Sequence, residues 1–339
     1  MSNNTSKSNP TSEDVARLAQ VSQSAVSRTF TPGGSVSKAT REKVMQAAEA
    51  LGYRPNALAR AMTSGKSGLI AVLVAYLDNQ FYPVVLEKLT RKLQSHGYQS
   101  LLLMTEPGRQ DDVVKRILQY QVEGVIMASA TLSSRLAGEC ISIGIPILTL
   151  NRYSASSPAS SVTSDNIEGG RLIAKHLVEG GHQRIAYIAG LENSSTNRDR
   201  EAGFYKGLAE YRRTPVARAV GGYTFDGAAQ AARDLLNTSH RPDAIFVAND
   251  HMAFAVMDVI RQEFGLRIPE DISVAGYDDV PEAAWKGYDL TSVSQSAQAM
   301  VEEAVGILLA QIDDPTASRG ATVLPAKLVA RSSTRPPKG

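Results

Sequence analysis

The sequence contains a single cysteine, Cys140, among its 339 residues, so no disulfide can form within the chain. This is typical of a protein in a reducing compartment, and the apolar run around Cys140 predicts a buried thiol. No stretch approaches the roughly 20 apolar residues of a membrane span. Residues 1–10 are rich in Ser and Asn and lack the apolar core of a signal peptide, which predicts a disordered leader. We therefore expect a cytoplasmic protein.

Motifs that hold phosphates or activate a serine are also missing. No G-x-G-x-x-G follows the first apolar run, and neither a P-loop lysine motif nor a G-x-S-x-G elbow occurs. The five histidines show no metal-ligand spacing, and only His251 stands beside other candidate binding residues. The sequence predicts no cofactor, no metal site and no catalytic residue, and we expect that the chain is not an enzyme.

The charge of the chain is close to neutral but unevenly distributed. Residues 1–66 hold nine Lys and Arg against four Asp and Glu, a net charge of +5, and the remainder of the chain is left with −3. A basic head on a mildly acidic body is typical of a nucleic-acid-binding segment attached to a neutral module. At this length the chain can hold one small domain and one large domain with a substantial core.

The segment that follows the leader has the pattern of two short helices joined by a tight turn. Thr11-Ser12-Glu13-Asp14 has the spacing of a capping box, and Val15, Leu18 and Ala19 predict a first helix with one apolar face. Val21 and Ser22 break this period, and Ser22 suits the N-cap of a second helix.

In the second helix Ala25 and Val26 are predicted to point inward. The outward side chains, Gln23, Ser24, Ser27 and Arg28, are of types that contact base edges and phosphates. Two helices in this arrangement form a helix-turn-helix, whose second helix fits the major groove of DNA. A plain helical hairpin with polar tips is the alternative interpretation.

A third helix is predicted over residues 37–52. Ser37 suits its N-cap, Gly52 suits the position after its last turn, and an apolar stripe runs between them. The stripe consists of Val44, Ala47, Ala48 and Leu51.

Four motifs in this order resemble the lactose/galactose repressor family of bacterial transcription regulators. They are D-V-A-x-x-A-x-V-S from Asp14, V-S-R from Val26, V-S-x-x-T-R-x-K-V from Val36 and G-Y-x-P-N-x-x-A-R from Gly52. The resemblance continues to the C-terminus. It implies a DNA-binding repressor that is controlled by a small-molecule effector and that acts on pseudo-palindromic operator DNA as a homodimer.

From residue 67 onward, short apolar runs alternate with amphipathic segments. The first run, Leu69–Ala75, has the pattern of a strand that is buried on both faces. Strands that alternate with helices predict parallel sheets with helices on both faces, and the two series of repeats suggest two lobes with a cleft between them. In such sheets ligands bind outside the carboxyl ends of the strands.

The resemblance supplies the fold class and the domain boundaries. It implies an N-terminal all-α helix-turn-helix head with a hinge helix, joined to an α/β two-lobed body that is similar to type I periplasmic binding proteins. The head would span residues 11–55, the hinge and linker 56–67 and the body 68–339. Crossings near Thr163–Ser164, Ser294–Gln295 and Arg319 would give an N-lobe of 68–163 and 295–318, and a C-lobe of 164–294 and 319–339.

The resemblance also implies two sets of binding residues. Operator contacts would come from Thr11, Ser22, Gln23, Ser24, Ser27, Arg28, Thr40, Asn56, Ala59, Arg60 and Met62. Met62 stands where relatives place a leucine that wedges between base steps of the minor groove. Effector contacts would come from Asn79, Phe81, Tyr82, Asn151, Arg152, Arg200, Tyr223, Asn249, Asp278 and Gln295. Aromatic rings with Asp, Asn and Arg side chains suit a polyhydroxylated ligand.

Several of these residues have structural alternatives. Asp278 and Asp279 could form a capping turn before Pro281, and Asp250 could be the N-cap of a helix predicted over 252–264. Arg200 could pair with Glu201 or Asp199 on the surface. An extracytoplasmic solute-binding protein or a sugar-processing enzyme could share the body fold, but neither needs the N-terminal motifs.

The sequence favours one class of ligand without fixing its identity. A sugar, a sugar acid or a nucleobase would suit such a cleft, and with this fold an effector can release or promote DNA binding. Two arginines, Arg152 and Arg200, are expected near the cleft, and Asn151 replaces an acid that is common in relatives. This combination favours a sugar acid or sugar phosphate, unless Arg152 pairs with Asp278. The tail at Arg335 carries two prolines and no leucine heptad, so we expect a dimer joined through both lobes.

Overall fold

The computed structural model describes residues 10–31, 33–54, 66–105, 110–129, 134–317 and 320–338. The chain divides into two compact units, with the boundary between Ser67 and Gly68. The predicted operator contacts Asn56, Ala59, Arg60 and Met62 lie outside the described residues, as does all but the last residue of the predicted leader. No described helix is both long enough and apolar enough to cross a membrane.

Three helices with strong capping signals form the described part of the first unit. They are α1 (Ser12–Ala19), α2 (Gln23–Phe30) and α3 (Lys38–Leu51). The predicted capping box is confirmed, because the Thr11 hydroxyl accepts a hydrogen bond from the Asp14 amide and the Asp14 carboxylate accepts one from the Thr11 amide. Ser22 and Ser37 cap α2 and α3 as predicted, and Gly52 ends α3 with a φ of 65°.

A small apolar core joins the three helices. Leu18, which was predicted on the apolar face of α1, is 53% exposed, and Ala16 is buried instead. The inner face of α1 therefore follows Val15, Ala16 and Ala19. Arg41 of α3 donates to the backbone carbonyl of Thr29 near the end of α2, which fixes the second helix against the third. The core consists of Val15, Ala16, Ala19, Val26, Val44, Ala47 and Ala48.

The second unit alternates strands and helices as predicted. Its described strands are β1 (Leu69–Val74), β2 (Gln99–Met104), β3 (Gly124–Met127), β4 (Ile147–Leu150), β5 (Ser160–Ser164), β6 (Ile185–Ala189), β7 (Ala217–Val220), β8 (Ala244–Val247), β9 (Ser273–Asp278), β10 (Thr291–Ser294), β11 (Ala321–Leu324) and β12 (Lys327–Val329). Its described α-helices are α4 (Phe81–Ser95), α5 (Gln110–Gln119), α6 (Ser134–Ser142), α7 (Asn166–Glu179), α8 (Ser195–Glu210), α9 (Phe225–Leu236), α10 (Asp250–Asp258) and α11 (Ala297–Asp313). A π-helical turn, Val259–Glu263, continues α10, and a 3₁₀ turn spans Pro281–Ala284. Cys140 on α6 is buried, as predicted.

Two six-stranded sheets form the cores of the two lobes. The first sheet has the order β11-β5-β4-β3-β1-β2, with every pair parallel. The second has the order β12-β10-β9-β8-β6-β7 and is parallel except for the β10–β12 pair. The predicted fold class, a helical head and a two-lobed α/β body, is confirmed.

Two of the strands that sequence patterning missed, β5 and β10, are short and poor in apolar side chains. β5 is Ser-Ser-Val-Thr-Ser and β10 is Thr-Ser-Val-Ser, so neither shows an apolar run, and both are nonetheless largely buried. Their hydroxyl groups bond to neighbouring elements. Ser292, for example, donates to the buried Asp250 carboxylate at 2.6 Å. Tertiary hydrogen bonds therefore take the place of an apolar signal in these strands.

The third predicted crossing between the lobes is wrong in position. β11 pairs with β5 in the first sheet, whereas β12 pairs with β10 in the second. The chain therefore changes lobe between Leu324 and Lys327, after the position near Arg319 that the resemblance implied. Residues 320–324 therefore belong to the first lobe. β11 is an edge strand, so its pairing with β5 is what assigns it to that lobe.

Glycines bring α7 and α8 into backbone contact in the second lobe. A Cβ atom on Gly203 would lie 1.9 Å from the carbonyl oxygen of Ile167, and one on Gly170 would lie 2.2 Å from the carbonyl oxygen of Arg200. The absence of these side chains lets the two helices approach and fixes the backbone of Arg200.

We predict that Gly203→Ala destabilises the body. The added methyl group would force α8 away from α7, at a cost of ~1–3 kcal/mol for overpacking. The matched control is Gly306→Ala on α11, where a Cβ meets nothing within 4 Å. The control should be neutral or stabilising by up to ~1 kcal/mol, because alanine favours the helix. Urea unfolding of both variants measures the difference, and equal midpoints would contradict the proposed close contact.

Candidate functional site

Ten predicted effector contacts lie between the two lobes, at the carboxyl ends of the strands. From the first lobe, Asn79, Phe81 and Tyr82 follow β1, and Asn151 and Arg152 follow β4. The second lobe contributes Arg200 from the first half of α8 and Asp278 from the end of β9. It also contributes Tyr223, Asn249 and Gln295, which follow β7, β8 and β10. None of the ten is more than 8% exposed, so the lobes are closed over this site.

Arg200 and Asp278 form a fully buried ion pair in the second lobe. Arg200 Nη2 lies 3.1 Å from Asp278 Oδ1. Arg200 Nε donates to Asn166 Oδ1 at 2.9 Å and Nη1 donates to the carbonyl oxygen of Ala248 at 2.6 Å. The guanidinium carbon also lies 3.7 Å from the ring centroid of Tyr277. Each nitrogen of the guanidinium therefore has a partner, as a buried charge requires.

The predicted alternatives for Arg200 are wrong. Glu201 pairs with Arg218 at 2.6 Å, and Asp199 pairs with Arg198 at 3.0 Å. Both carboxylates are thus engaged elsewhere, and the Arg200 guanidinium bonds to Asn166, Ala248 and Asp278 instead.

Burial raises the pKa of Asp278 to about 6, even though Arg200, Asn79 and Gln295 all favour the ionised carboxylate. Gln295 Nε2 donates to Asp278 Oδ1 at 2.7 Å. Asp278 itself holds a φ of 116°, a region that non-glycine residues rarely adopt. The carboxylate is thus held in a dry, strained position, and such strain clusters at functional sites.

Arg152 is the second buried arginine of the site, and it lacks a carboxylate partner among the described residues. Its Nη1 donates to the carbonyl oxygen of Ser129 at 3.0 Å, and its Nη2 donates to the Tyr76 hydroxyl. The guanidinium carbon lies 5.6 Å from the ring centroids of both Tyr76 and Tyr223. Its Nε has no hydrogen-bond partner. The predicted alternative, an Arg152–Asp278 pair, is wrong, because Arg200 occupies that carboxylate.

Three carboxamide side chains of the site each keep one buried polar atom without a partner. Asn151 donates to the Tyr82 hydroxyl at 3.3 Å and leaves its Oδ1 unpaired. Asn249 accepts from the Met252 amide, as the N-cap of α10, and leaves its Nδ2 unpaired. Gln295 leaves its Oε1 unpaired. Unsatisfied buried groups are costly, so their concentration at one site is typical of a ligand-binding surface.

Asp250 and Asp279 have structural roles. Asp250 accepts from Ser292 Oγ and from the Val280 amide, and Asn249, not Asp250, caps the helix. Burial and the neighbouring Asp278 raise the pKa of Asp250 well above its ordinary value. Asp279 pairs with Arg331 at 2.6 Å. The 3₁₀ turn that begins at Pro281 has no side-chain cap, so the predicted capping role of Asp278 and Asp279 is wrong.

Sequence reasoning missed the residues that orient the two arginines. Tyr76 and Ser129 hold Arg152, and Asn166 holds Arg200. Asn166 lies two positions after the predicted crossing at Thr163–Ser164. Its closeness to that crossing is the one feature of the sequence that could have identified Asn166 as a site residue. His251 lies within 3.3 Å of Gln80 Oε1 across the cleft, in line with its predicted position beside the site.

The outer face of α2 carries the predicted DNA contacts in the first unit. Gln23, Ser24, Ser27 and Arg28 are exposed, while Ala25 and Val26 are buried. The remaining described candidates lie at helix starts. Thr11 and Ser22 cap α1 and α2, and the Thr40 hydroxyl lies 2.8 Å from that of Ser37 at the start of α3.

Two family models match the chain. Residues 11–56 match the model of bacterial regulatory proteins of the lacI family, and residues 174–334 match that of the periplasmic binding protein-like domain.

Relatives resemble the chain over nearly its whole length. The HTH-type transcriptional repressor PurR of Vibrio atlanticus (strain LGP32) is 32% identical over 96% of this chain and 98% of its own length. The PurR repressor of Aliivibrio salmonicida (strain LFI1238) is 30% identical over 95% of this chain and 98% of its own.

Solved structures agree with this similarity. The lac repressor dimer bound to operator and the anti-inducer ONPF matches with a TM-score of 0.87 at 32% identity, over 96% of this chain and 99% of that one. The complex of the transcriptional regulator CelR with cellobiose matches with a TM-score of 0.73 at 31% identity, over 96% and 99% of the two chains.

We predict that Asp278 makes the stability of the body fall as the pH rises from about 4 to about 6. Its pKa is 3.8 in the absence of the fold and about 6 in the folded state. Between these values the folded state binds a proton that the unfolded state has released, so raising the pH lowers the free energy of unfolding. Asp278→Asn removes this pH-dependent contribution to the free energy of unfolding. The difference in free energy of unfolding, parent minus variant, should therefore fall as the pH rises from about 4 to about 6.5.

Asp271→Asn is the control for this measurement. Its exposed pair with Arg267 lowers the pKa of Asp271 to about 2, so the corresponding difference should stay flat over the same range. Urea titrations at several pH values measure both curves. A flat curve for Asp278→Asn would contradict the raised pKa.

Proposed function

We propose a specific mode of action for this chain, which belongs to the lacI family of bacterial regulatory proteins and is a DNA-binding transcriptional regulator. It represses transcription by binding a pseudo-palindromic operator, and a small anionic ligand between the two lobes controls this binding. The observation that carries the ligand class is the buried Arg152, which has no carboxylate partner among the described residues.

α2 enters the major groove of the operator. Gln23 and Ser24 contact base edges, and Arg28 contacts the operator at the end of the helix. Their exposure on one face of a capped helix supports these roles. Thr11, Ser22, Ser27 and Thr40 contact the DNA near them. We assign Asn56, Ala59, Arg60 and Met62, which lie outside the described residues, to contacts with the minor groove, where Met62 wedges between base steps.

The ligand is a sugar acid or a sugar phosphate. Asp278 already neutralises Arg200, so the site carries one uncompensated buried positive charge, on Arg152. A carboxylate or phosphate would neutralise it and could accept from its unpaired Nε. The hydroxyl groups of the ligand would bond to Asp278 and to the unpaired atoms of Asn151, Asn249 and Gln295.

The regulator acts as a homodimer through both lobes. β2 and β7 are edge strands of the two sheets, and Leu102, Met104 and Val220 on them are exposed. Apolar side chains on an exposed edge strand favour pairing with another subunit. Regulation of chromosomal operators places the protein in the cytoplasm.

An enzyme and an extracytoplasmic solute-binding protein are disfavoured as alternatives. The paired carboxylates that acid–base chemistry would use, Asp278 and Asp279, are engaged by Arg200 and Arg331 and are not free for it. A solute-binding protein would not need the helix-turn-helix.

We predict that Gln23→Ala combined with Ser24→Ala changes operator preference. The loss of base-edge contacts should alter discrimination by ~1–3 kcal/mol at one or two base pairs of each half-site. A selection from randomised sites measures the ranking. The control, Gln46→Ala with Glu49→Ala, changes two exposed residues of α3 and should keep the ranking of the parent. An unchanged ranking in the α2 variant would contradict its role in reading the operator.

We also predict that the ligand site discriminates by charge. Thermal shift with gluconate, glucose 6-phosphate, glucose and nucleobases should select an anionic compound, because a ligand of the native state raises its melting temperature. Calorimetry with the selected anion should then show no binding to Arg200→Ala, because this change leaves the buried Asp278 carboxylate unpaired and its negative charge repels the anion. Asn151→Asp should lower the affinity for the anion at least about tenfold, because the added negative charge repels it in a site of low dielectric constant.

The control for Asn151→Asp is Asn237→Asp, which adds the same charge at an exposed position at the end of α9. It should bind the anion as the parent does. Tight binding of glucose without binding of the anions would refute the anionic class.

A further inference from the structure

Tyr153 joins the two lobes beside the cleft through contacts that no predicted site residue makes. It follows β4 in the first lobe, directly after Arg152. Its backbone amide donates to Ser195 Oγ at 3.0 Å, and its hydroxyl donates to Asp199 Oδ2 at 3.0 Å. Ser195 and Asp199 both belong to α8 of the second lobe.

Arg198 completes this contact. Its Nη2 donates to the Tyr153 hydroxyl at 2.8 Å, its guanidinium carbon lies 5.4 Å from the centre of the tyrosine ring, and its Nε donates to Asp199 Oδ1 at 3.0 Å. The tyrosine hydroxyl thus accepts a hydrogen bond from a cation and donates one to an anion. Hydrogen bonds with a charged partner are stronger than those between neutral groups. Burial and the hydrogen bond to Asp199 raise the pKa of Tyr153, so it keeps its proton for this donation.

The position of the contact in the chain links it to the two arginines of the site. Tyr153 is the next residue after Arg152, and Asp199 is the residue before Arg200. Arg152 and Arg200 come from opposite lobes, and each positive charge disfavours the other. Asp278 offsets this repulsion by neutralising Arg200, so the spacing of the two guanidinium groups depends on the contacts that join the lobes.

We infer that Tyr153 is a positioning residue, which holds the lobes closed through Ser195, Arg198 and Asp199 and thereby sets the spacing of Arg152 and Arg200 for one ligand. The link to a ligand rests on the proposed function, whereas lobe closure can be measured without any ligand. Other contacts also cross between the lobes: His251 lies near Gln80 and Asp78, Asn79 bonds to Asp278, and the Arg152 guanidinium lies against the Tyr223 ring. Tyr153 differs from these in bonding to three residues of one helix, α8.

Tyr153→Phe tests this inference in the full-length, ligand-free protein. The variant keeps the ring and removes both hydroxyl bonds, and at 36% exposure the position should tolerate it. The readout is hydroxyl-radical footprinting of Tyr82 and Tyr223, which are buried on the two faces of the cleft and, within the described part of the chain, share no hydrogen bond or ring contact with Tyr153. Their modification rates are normalised to that of Tyr187, which is buried in β6.

The matched control is Tyr211→Phe. Tyr211 is 37% exposed and donates to Glu179 at 3.0 Å, but both residues belong to the second lobe. In Tyr153→Phe the rates at Tyr82 and Tyr223 should rise at least about fivefold, because the loss of even one of the two hydrogen bonds changes an equilibrium by about that factor. Asp199→Ala should give the same pattern, and Tyr211→Phe should match the parent.

Two outcomes would overturn the inference. One is an unchanged rate at both tyrosines, and the other is a rise confined to residues 153–157 and 191–199, which indicates local loosening without opening. Neither outcome depends on a ligand. If the ligand is not an anion, only the thermal-shift series would show it. The proposed ligand class and the proposed role of Tyr153 can therefore be refuted independently.

Discussion

The buried ion pair between Arg200 and Asp278 is the interaction on which the cleft depends. Removing two charges from water is costly, and here the cost is offset because each guanidinium nitrogen and the carboxylate have partners. Those partners come from α7, β8 and the residue after β10, so the pair ties the second lobe together at its ligand-facing edge. The close approach of α7 and α8 at Gly203 is what allows Arg200 to reach them.

The first lobe completes the site with a group of opposite character. Arg152 is held by a carbonyl oxygen, a hydroxyl group and two aromatic rings, none of which neutralises its charge. The second lobe is thus electrostatically balanced and the first is not. In the proposed function an anion supplies the missing negative charge and stabilises the closed lobes, and a two-state interface can couple such a ligand to a distant binding surface.

Strain and unpaired atoms concentrate at the same edge of the sheets. Asn151, Tyr223 and Asp278 have φ values of 71°, 62° and 116°, and Asn151, Asn249 and Gln295 each keep an unpaired polar atom. The interior of the lobes shows ordinary parallel sheets with apolar strands. The fold therefore supplies a rigid scaffold, and the residues at the carboxyl ends of its strands supply the chemistry.

The sequence by itself determined the helical head, because caps such as Thr11, Ser22 and Gly52 act within a few residues. It also determined the apolar strands of the body, whereas the residues that meet at the cleft were expected from the family resemblance. Only the tertiary structure decided the partners. Arg200 pairs with Asp278, which lies 78 positions away, and not with the adjacent Glu201. The hydroxyl-rich strands, the crossing after Leu324 and the Tyr153 contact likewise depend on groups that only folding brings together, and local patterns carry no signal for them.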